Sequence, residues 1–289
     1  LKKWLYVSVM LILTLSIAGC GNLDLASSGS TFEKAKDSGK VVVGFANEKP
    51  YAYKEGGKVT GEAVEVAKAI LKKQGINEIE PVLTDFGSLI PGLKAGRFDI
   101  ITAGMYITPE RCKEVDFANP EYSIGEALAV KKGNPKKLKS YKDIADNPKA
   151  TVAVMKGGIE ESYMKNEGVK EEQIKIVPDQ PSAVSALQAG RVDAITMTGP
   201  SLRSMLESAN SKGIEVVEDF KQPQADGEDI RGYGAAAFRG EDEDFKKVYN
   251  EELEKMKKSG ELYDILKPFG FTKDDLPPEK TAEQLCKGK

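Results

Sequence analysis

Leu93-Lys-Ala-Gly-Arg-Phe-Asp-Ile-Ile-Thr102 and Leu187-Gln-Ala-Gly-Arg-Val-Asp-Ala-Ile-Thr196 are one decapeptide written twice, identical at seven of ten positions and starting 94 residues apart. Each copy reads as a helix end stopped by Gly96 or Gly190, a short charged turn, and then an apolar strand. Each strand runs on to a glycine, Gly104 or Gly199, where a backbone lacking Cβ lets a ligand approach closely. A chance likeness between two common helix–turn–strand units is the alternative. Repetition of the whole Ala-Gly-Arg-x-Asp string is more than propensity demands. Two similar half-molecules predict two α/β lobes with a cleft between them.

Working outward, Lys40–Gly44, Val82–Leu83 and Asp99–Thr102 read as strands, and Glu62–Gln74 as a helix with Ala63, Val66, Ala67, Ile70 and Leu71 on one stripe. Strands then alternate with helices through Gly125–Lys131, Thr151–Met155, Ile174–Val177 and Ala194–Met197. That alternation predicts mainly parallel sheets covered by helices. Residues 209–230 are polar and read as irregular. Gly234–Arg239 is again a strand, and Phe245–Ser259 and Glu261–Leu266 are amphipathic helices. Composition shifts near residues 130 and 231. The expected division is therefore a discontinuous first lobe, 34–130 plus 232–289, and an inserted second lobe, 131–231. Two extended crossings between them would act as a hinge. A tandem arrangement would leave the C-terminal helices without a partner.

At the N-terminus, Lys2 and Lys3 precede an apolar run from Trp4 to Ile17, which ends in Ile17-Ala18-Gly19-Cys20. Residues 1–19 read as a secretory signal peptide, too short for a comfortable membrane span. The small residues before Cys20 resemble the lipobox of bacterial lipoproteins, which implies lipidation of Cys20. Residues 20–33, with Ser27-Ser28-Gly29-Ser30, read as a flexible tether. The expected location is outside the cytoplasm, on a membrane surface without crossing it. The whole chain carries a formal charge of −3 and no basic block, which argues against a nucleic-acid partner. The absence of histidine excludes a Ser-His-Asp triad, a Cys-His pair and a histidine-ligated metal. No cofactor or metal is expected, and the protein is expected to be a monomer. Cys112 and Cys286 are either paired in the oxidising compartment or two separate buried thiols.

The chemistry gathers where strands end. Residues 44–53 present Glu48, Tyr51 and Tyr53; residues 104–112 present Gly104, Tyr106, Thr108 and Arg111; Phe86 follows another strand. In open α/β sheets ligands bind beyond the carboxyl ends of the strands. Such a set suits a small zwitterion. Arg111 can hold a carboxylate through parallel hydrogen bonds, Glu48 can accept from N–H groups, and aromatic faces attract a diffuse cation. Each residue also has an ordinary reading: a solvated helix face for Arg111, core packing for the tyrosines, a surface pair with Lys49 for Glu48.

On these residues the chain resembles the family-3 extracellular solute-binding proteins of ABC importers over nearly its whole length after the leader. The stretches that carry the likeness are Gly61–Ile70, both Ala-Gly-Arg-x-Asp segments and Ile107-Thr-Pro-Glu-Arg111. Within that family, Ala46–Tyr51, Phe86–Pro91 and Ala103–Cys112 are most similar to the ectoine/hydroxyectoine-binding members. The resemblance implies a two-lobe, type II binding fold that closes on its ligand and hands it to a membrane permease. It also implies an aromatic box of Tyr51, Phe86 and Tyr106, with Arg111 on the ligand carboxylate and Glu48 on ring nitrogens. Backbone N–H groups near Gly158 and Ile159 would add a second grip. Amino-acid binders often place an aspartate where Thr198 stands, and a hydroxyl where Ile159 stands; both departures point away from an ordinary amino acid. The competing expectations are a polar or cationic amino-acid or betaine binder, and a dehydratase-type enzyme using Glu160 or Glu161 in the cleft. An enzyme would need an acid with a raised pKa in the second lobe, whereas acids at that position are also favoured by a helix dipole.

Overall fold

The computed structural model describes residues 29–208, 211–225 and 227–288. The expected signal peptide, Cys20 and most of the tether lie outside these residues. The end of the expected tether is already helical. Ser30 caps the helix Thr31–Ser38 by accepting from the Glu33 N–H, and the Glu33 side chain accepts from the Ser30 N–H. This reciprocal capping box fixes the helix start.

Two sheets organise the chain. The first has the spatial order Glu78–Leu83, Lys40–Phe45, Ile100–Tyr106, Gly232–Phe238, Asp116–Phe117, with Tyr122–Ile124 also pairing to Gly232–Phe238. The second has the order Ile174–Val177, Val152–Met155, Ala194–Thr198, Glu126–Lys131, Ile214–Val216. The first three strands of each run parallel; Gly232–Phe238 and Glu126–Lys131 run the opposite way, and the edge strands beyond pair antiparallel to those two. The expectation of mainly parallel sheets thus holds for one half of each. Strands 126–131 and 232–238 arrive directly from the opposite lobe, without the helical crossover that parallel pairing requires.

The second sheet begins at Glu126, ahead of the expected boundary at residue 131. Leu128, Ala129 and Val130 bury in the cores of the second lobe; the lysines at 131 and 132 mark the end of that strand rather than the end of a lobe. Gly125 alone separates Ile124 in one sheet from Glu126 in the other. The two crossings are adjacent, since Ile124 pairs with Gly232. Gln222 braces them: its amide oxygen accepts from the Glu126 N–H and its amide nitrogen donates to the Glu126 carbonyl, both at 2.8 Å. The region expected to be irregular contains the edge strand Ile214–Val216 and a short hairpin of Gln224–Ala225 with Glu228–Asp229. The other described residues of that region are turns and loop, as expected.

Helix Glu62–Lys73 buries the stripe Ala63, Val66, Ala67, Ile70 and Leu71. Helix Glu243–Ser259 brings Phe245, Tyr249, Leu253 and Met256 back into the core of the first lobe. Fully burying an apolar side chain of this size contributes about 1.5–3 kcal/mol relative to exposure, which gives the C-terminal segment its home. A Cys112–Cys286 disulfide, S–S 1.99 Å, fastens the last helix, Ala282–Cys286, beside the turn Arg111–Lys113. No helix among the described residues is long and apolar enough to cross a membrane.

Candidate functional site

The carboxyl ends of the parallel strands in both sheets face a common cleft. Beyond strand Lys40–Phe45 the chain makes a tight loop in which Glu48 and Ala52 exchange backbone hydrogen bonds of 2.8 and 3.0 Å. The first N–H groups of helix Glu62–Lys73 would otherwise lack partners. The Glu62 N–H donates to the Pro50 carbonyl (2.9 Å) and the Ala63 N–H to the Tyr51 carbonyl (3.0 Å), locking the loop to the helix. Glu48 and Tyr51 are thereby aimed into the cleft and buried. Tyr53 points elsewhere, with Lys49 over its ring at 4.6 Å.

Tyr51 stacks on Tyr122, centroids 5.5 Å apart and planes 20° apart. Tyr106 meets Tyr122 edge-on at 6.4 Å. This stack presses against strand Ile100–Tyr106 at Gly104, whose φ is +62°. A Cβ there would come within 2.5 Å of the Tyr51 ring. Tyr122 donates to the Gly104 carbonyl at 2.8 Å.

Arg111 is fixed by donating to the Tyr106 carbonyl (2.8 Å) and, across the cleft, to the Gly157 carbonyl (2.9 Å). Its guanidinium lies over the Phe86 ring, 5.5 Å from the centroid. A guanidinium has five N–H donors, so three remain for a ligand. Thr108 serves Arg111 rather than the ligand, accepting from the Arg111 N–H at 3.2 Å.

All nine expected binding residues, Glu48, Tyr51, Phe86, Gly104, Tyr106, Arg111, Gly158, Ile159 and Thr198, line one cavity, joined by Met155 and Glu160. The free space between these walls is small, about 30 Å³. One expected role changes. The Gly158 N–H already donates to the Met155 carbonyl at 3.0 Å, because residues 155–158 close a tight turn. The neighbouring Ile159 N–H makes no such backbone bond among the described residues. Thr198 shares a 2.5 Å hydrogen bond with the Tyr51 hydroxyl across the cleft.

Three acids gather here. Glu48, Glu126 and Glu160 are all buried, against Arg111 as the one cation among the lining residues. Burial, with Glu160 nearby, pushes the Glu48 carboxyl up to about 8, although bonds from Ser201 and Gln180 and the charge of Arg111 pull it down. Burial likewise raises Glu160 to about 7. Glu126 is raised by burial and by the other two acids, and neither of its carboxyl oxygens has a hydrogen-bond partner. Sequence reading did not find Glu126, Gln180, Ser201, Tyr122 or Met155, and it weighed Glu160 only as a possible catalytic acid. Gln180 and Ser201 each follow a second-lobe strand end, so the strand-end rule applied equally to both lobes would have reached them.

Residues 41–272 match the family model of bacterial extracellular solute-binding proteins, family 3. The chain is 36% identical over 261 residues to a probable amino-acid ABC transporter periplasmic-binding protein, y4tE, of Sinorhizobium fredii, covering 89% of this chain and 86% of that one. It is 33% identical over 274 residues to the arginine-binding extracellular protein ArtP of Bacillus subtilis, covering 93% and 98%. Among solved structures, EhuB in complex with hydroxyectoine matches with a TM-score of 0.81 and 37% identity, covering 90% of this chain and 100% of that one. These relatives are binding proteins, not enzymes. The chain belongs to the family-3 bacterial extracellular solute-binding proteins.

Proposed function

We propose that this protein is the lipid-anchored, extracytoplasmic receptor of an ABC importer, and that its solute is a small zwitterion with a diffuse cation, ectoine or hydroxyectoine. One observation carries the reading: a single cavity brings Arg111 and Glu48 together among Tyr51, Phe86 and Tyr106, with a threonine, not an acid, at the end of strand Ala194–Thr198. Arg111 holds the ligand carboxylate and Glu48 accepts its N–H groups. The rings cover a cation too spread out to be satisfied by hydrogen bonds alone. The likeness to a structure holding hydroxyectoine supports the same choice. The lobes, 29–124 with 232–288 and 126–230, would rotate about Gly125 and residues 230–231, and the closed form would dock on the permease.

A second reading has its own support. Three buried carboxyls facing one arginine exceed what a zwitterion needs, and a cationic amino acid such as arginine would balance them better. Titration calorimetry on protein stripped by unfolding and refolding separates the two. The panel is ectoine, hydroxyectoine, glycine betaine, proline, arginine and glutamine. Tight binding confined to the ectoines supports the first reading; tight binding of arginine alone replaces it with the second. In either case Arg111→Ala should weaken binding at least about 100-fold, since stripping the partner from a buried charge costs roughly 3–5 kcal/mol. Wild-type affinity in that variant would remove Arg111 from the site.

A further inference from the structure

Glu48 is gripped from the opposite lobe. Gln180, at the start of helix Gln180–Gln188, donates its side-chain amide to Glu48 Oε1. Ser201, in the first turn of helix Gly199–Ser208, lies 2.6 Å from Gln180 Oε1, 2.7 Å from the Lys49 carbonyl and 3.4 Å from Glu48 Oε1. The partners are separated by 132 to 153 residues of chain wherever the bonds cross the cleft. Gln180, Ser201 and Glu48 are all buried. Asp179 accepts from the Ser182 N–H at 2.8 Å and sets the helix start that aims Gln180.

We propose that Gln180 and Ser201 are positioning residues that form a latch across the cleft, seating Glu48 for the ligand only when the lobes close. The proposal rests on the reading of Glu48 as the acceptor of the ligand's N–H groups. The geometry explains how the latch works. The Ser201 hydroxyl has one proton, and donating it to Gln180 Oε1 orients the amide so that its NH₂ faces Glu48. With that proton committed to Gln180, the Gln180 amide is the donor to Glu48 Oε1, which leaves Oε2 for the ligand. With the lobes apart, Gln180 and Ser201 have no Glu48 to bond, and the carboxylate faces water with either oxygen outward. Recognition of the ligand's cation and closure of the lobes thereby become one event.

The latch also governs ionisation. Glu48 is faced by Glu160 and Glu126 from the second lobe, by Arg111 from the first, and by the Gln180 amide and Ser201 hydroxyl, which favour its charged form. A cation is held best by an ionised Glu48, whose pKa in the closed, empty cleft is raised to about 8, so that below that pH closure on an ionised Glu48 costs free energy. Affinity should therefore rise as pH climbs towards 8. Without Gln180 that rise moves to higher pH.

Gln180→Met keeps volume and removes both amide dipoles. Stopped-flow binding of whichever panel solute the wild type takes should show dissociation about 10–100-fold faster, with association within about threefold. The pH at which affinity is half-maximal should move upward. Ser201→Ala should act in the same direction by about 3–10-fold, and serves alone if Gln180→Met fails to fold. Glu48→Gln separates the layers of the argument. If it weakens binding while Gln180→Met matches wild type in dissociation rate and pH profile, the latch is wrong and the site stands. If Glu48→Gln binds like wild type, the reading of Glu48 fails and the latch fails with it.

Discussion

At Gly96 and Gly190 the two copies of the decapeptide share their backbone chemistry nearly bond for bond. Both glycines are left-handed, φ +67° and +70°, and donate to the Leu93 and Leu187 carbonyls at 3.0 Å. The Arg97 and Arg191 N–H groups reach back to Gly92 and Ala186. Asp99 exchanges two hydrogen bonds with Val42, and Asp193 does the same with Thr151, each tying the new strand to its neighbour in the sheet. The copies differ modestly in the partners of their aspartates and most where the strands end. Gly104 makes room for an aromatic ring; a Cβ on Gly199 would find nothing nearer than Arg203 Nη1 at 3.4 Å. The shared portion builds a sheet, and the portion that differs faces the cleft.

The contrast between those glycines carries the largest expected effect. Gly104→Ala would place a side chain in the left-handed region, costing about 1–2 kcal/mol, and would drive Tyr51 out of its stack. Ligand affinity should fall more than about tenfold and stability by about 2–4 kcal/mol. Gly199→Ala should leave stability within about 0.5 kcal/mol of wild type. Calorimetry and urea unfolding of both variants would test this; equal losses would mean that the two strand ends are built alike.

The aspartates offer a finer test. Asp193 accepts from the Thr151 N–H at 2.9 Å and from its hydroxyl at 3.1 Å, and pairs with Lys136 at 2.7 Å. Asp99 accepts from the Val42 N–H at 3.0 Å, with Arg239 at 3.6 Å. Asp193→Ala should cost about 2–3 kcal/mol in urea unfolding and Asp99→Ala about 1–2. Burial alone would raise the Asp193 carboxyl, but Lys136 and the Thr151 donors outweigh it and hold the carboxyl below its usual range. A depressed folded pKa gives stability that is present above the unfolded value, near 3.9, and is lost as pH falls through the folded value. The gap between wild type and Asp193→Ala should accordingly narrow at pH 3, and a gap constant from pH 7 to pH 3 would contradict the pairing.

This division also explains what could be read in advance. The repeat, the amphipathic helices and the strand ends are local patterns, legible because capping glycines and side-chain periodicity act over a few residues. Those patterns gave the parallel strands of both sheets, the return of the C-terminal helices, and Glu48, Tyr51, Phe86, Gly104, Tyr106 and Arg111 at strand ends; Gly158, Ile159 and Thr198 were reached only through the family resemblance. Glu126 was hidden because it sits in a strand whose lobe depends on the position of the crossing at Gly125. Gln180 was hidden because Asp179-Gln180-Pro181 reads as an ordinary helix start. Only apposition of the lobes turns its exposed first-turn amide into a buried partner of Glu48, and no local pattern encodes that apposition.

The smallest effect concerns Thr198, where the second copy ends on a hydroxyl. Its bond to Tyr51 joins the lobes, so it contributes only in the closed form. Thr198→Val preserves shape and strands the Tyr51 hydroxyl. The expected cost is about 1 kcal/mol, read as roughly three- to tenfold weaker ligand binding. Ligand-free stability should change by less than about 0.5 kcal/mol, because an open cleft hydrates both groups. If the loss appears instead in ligand-free unfolding, with affinity intact, then the lobes are already held together without ligand. The second strand end would then be part of the static architecture rather than a surface that meets its partner on closure.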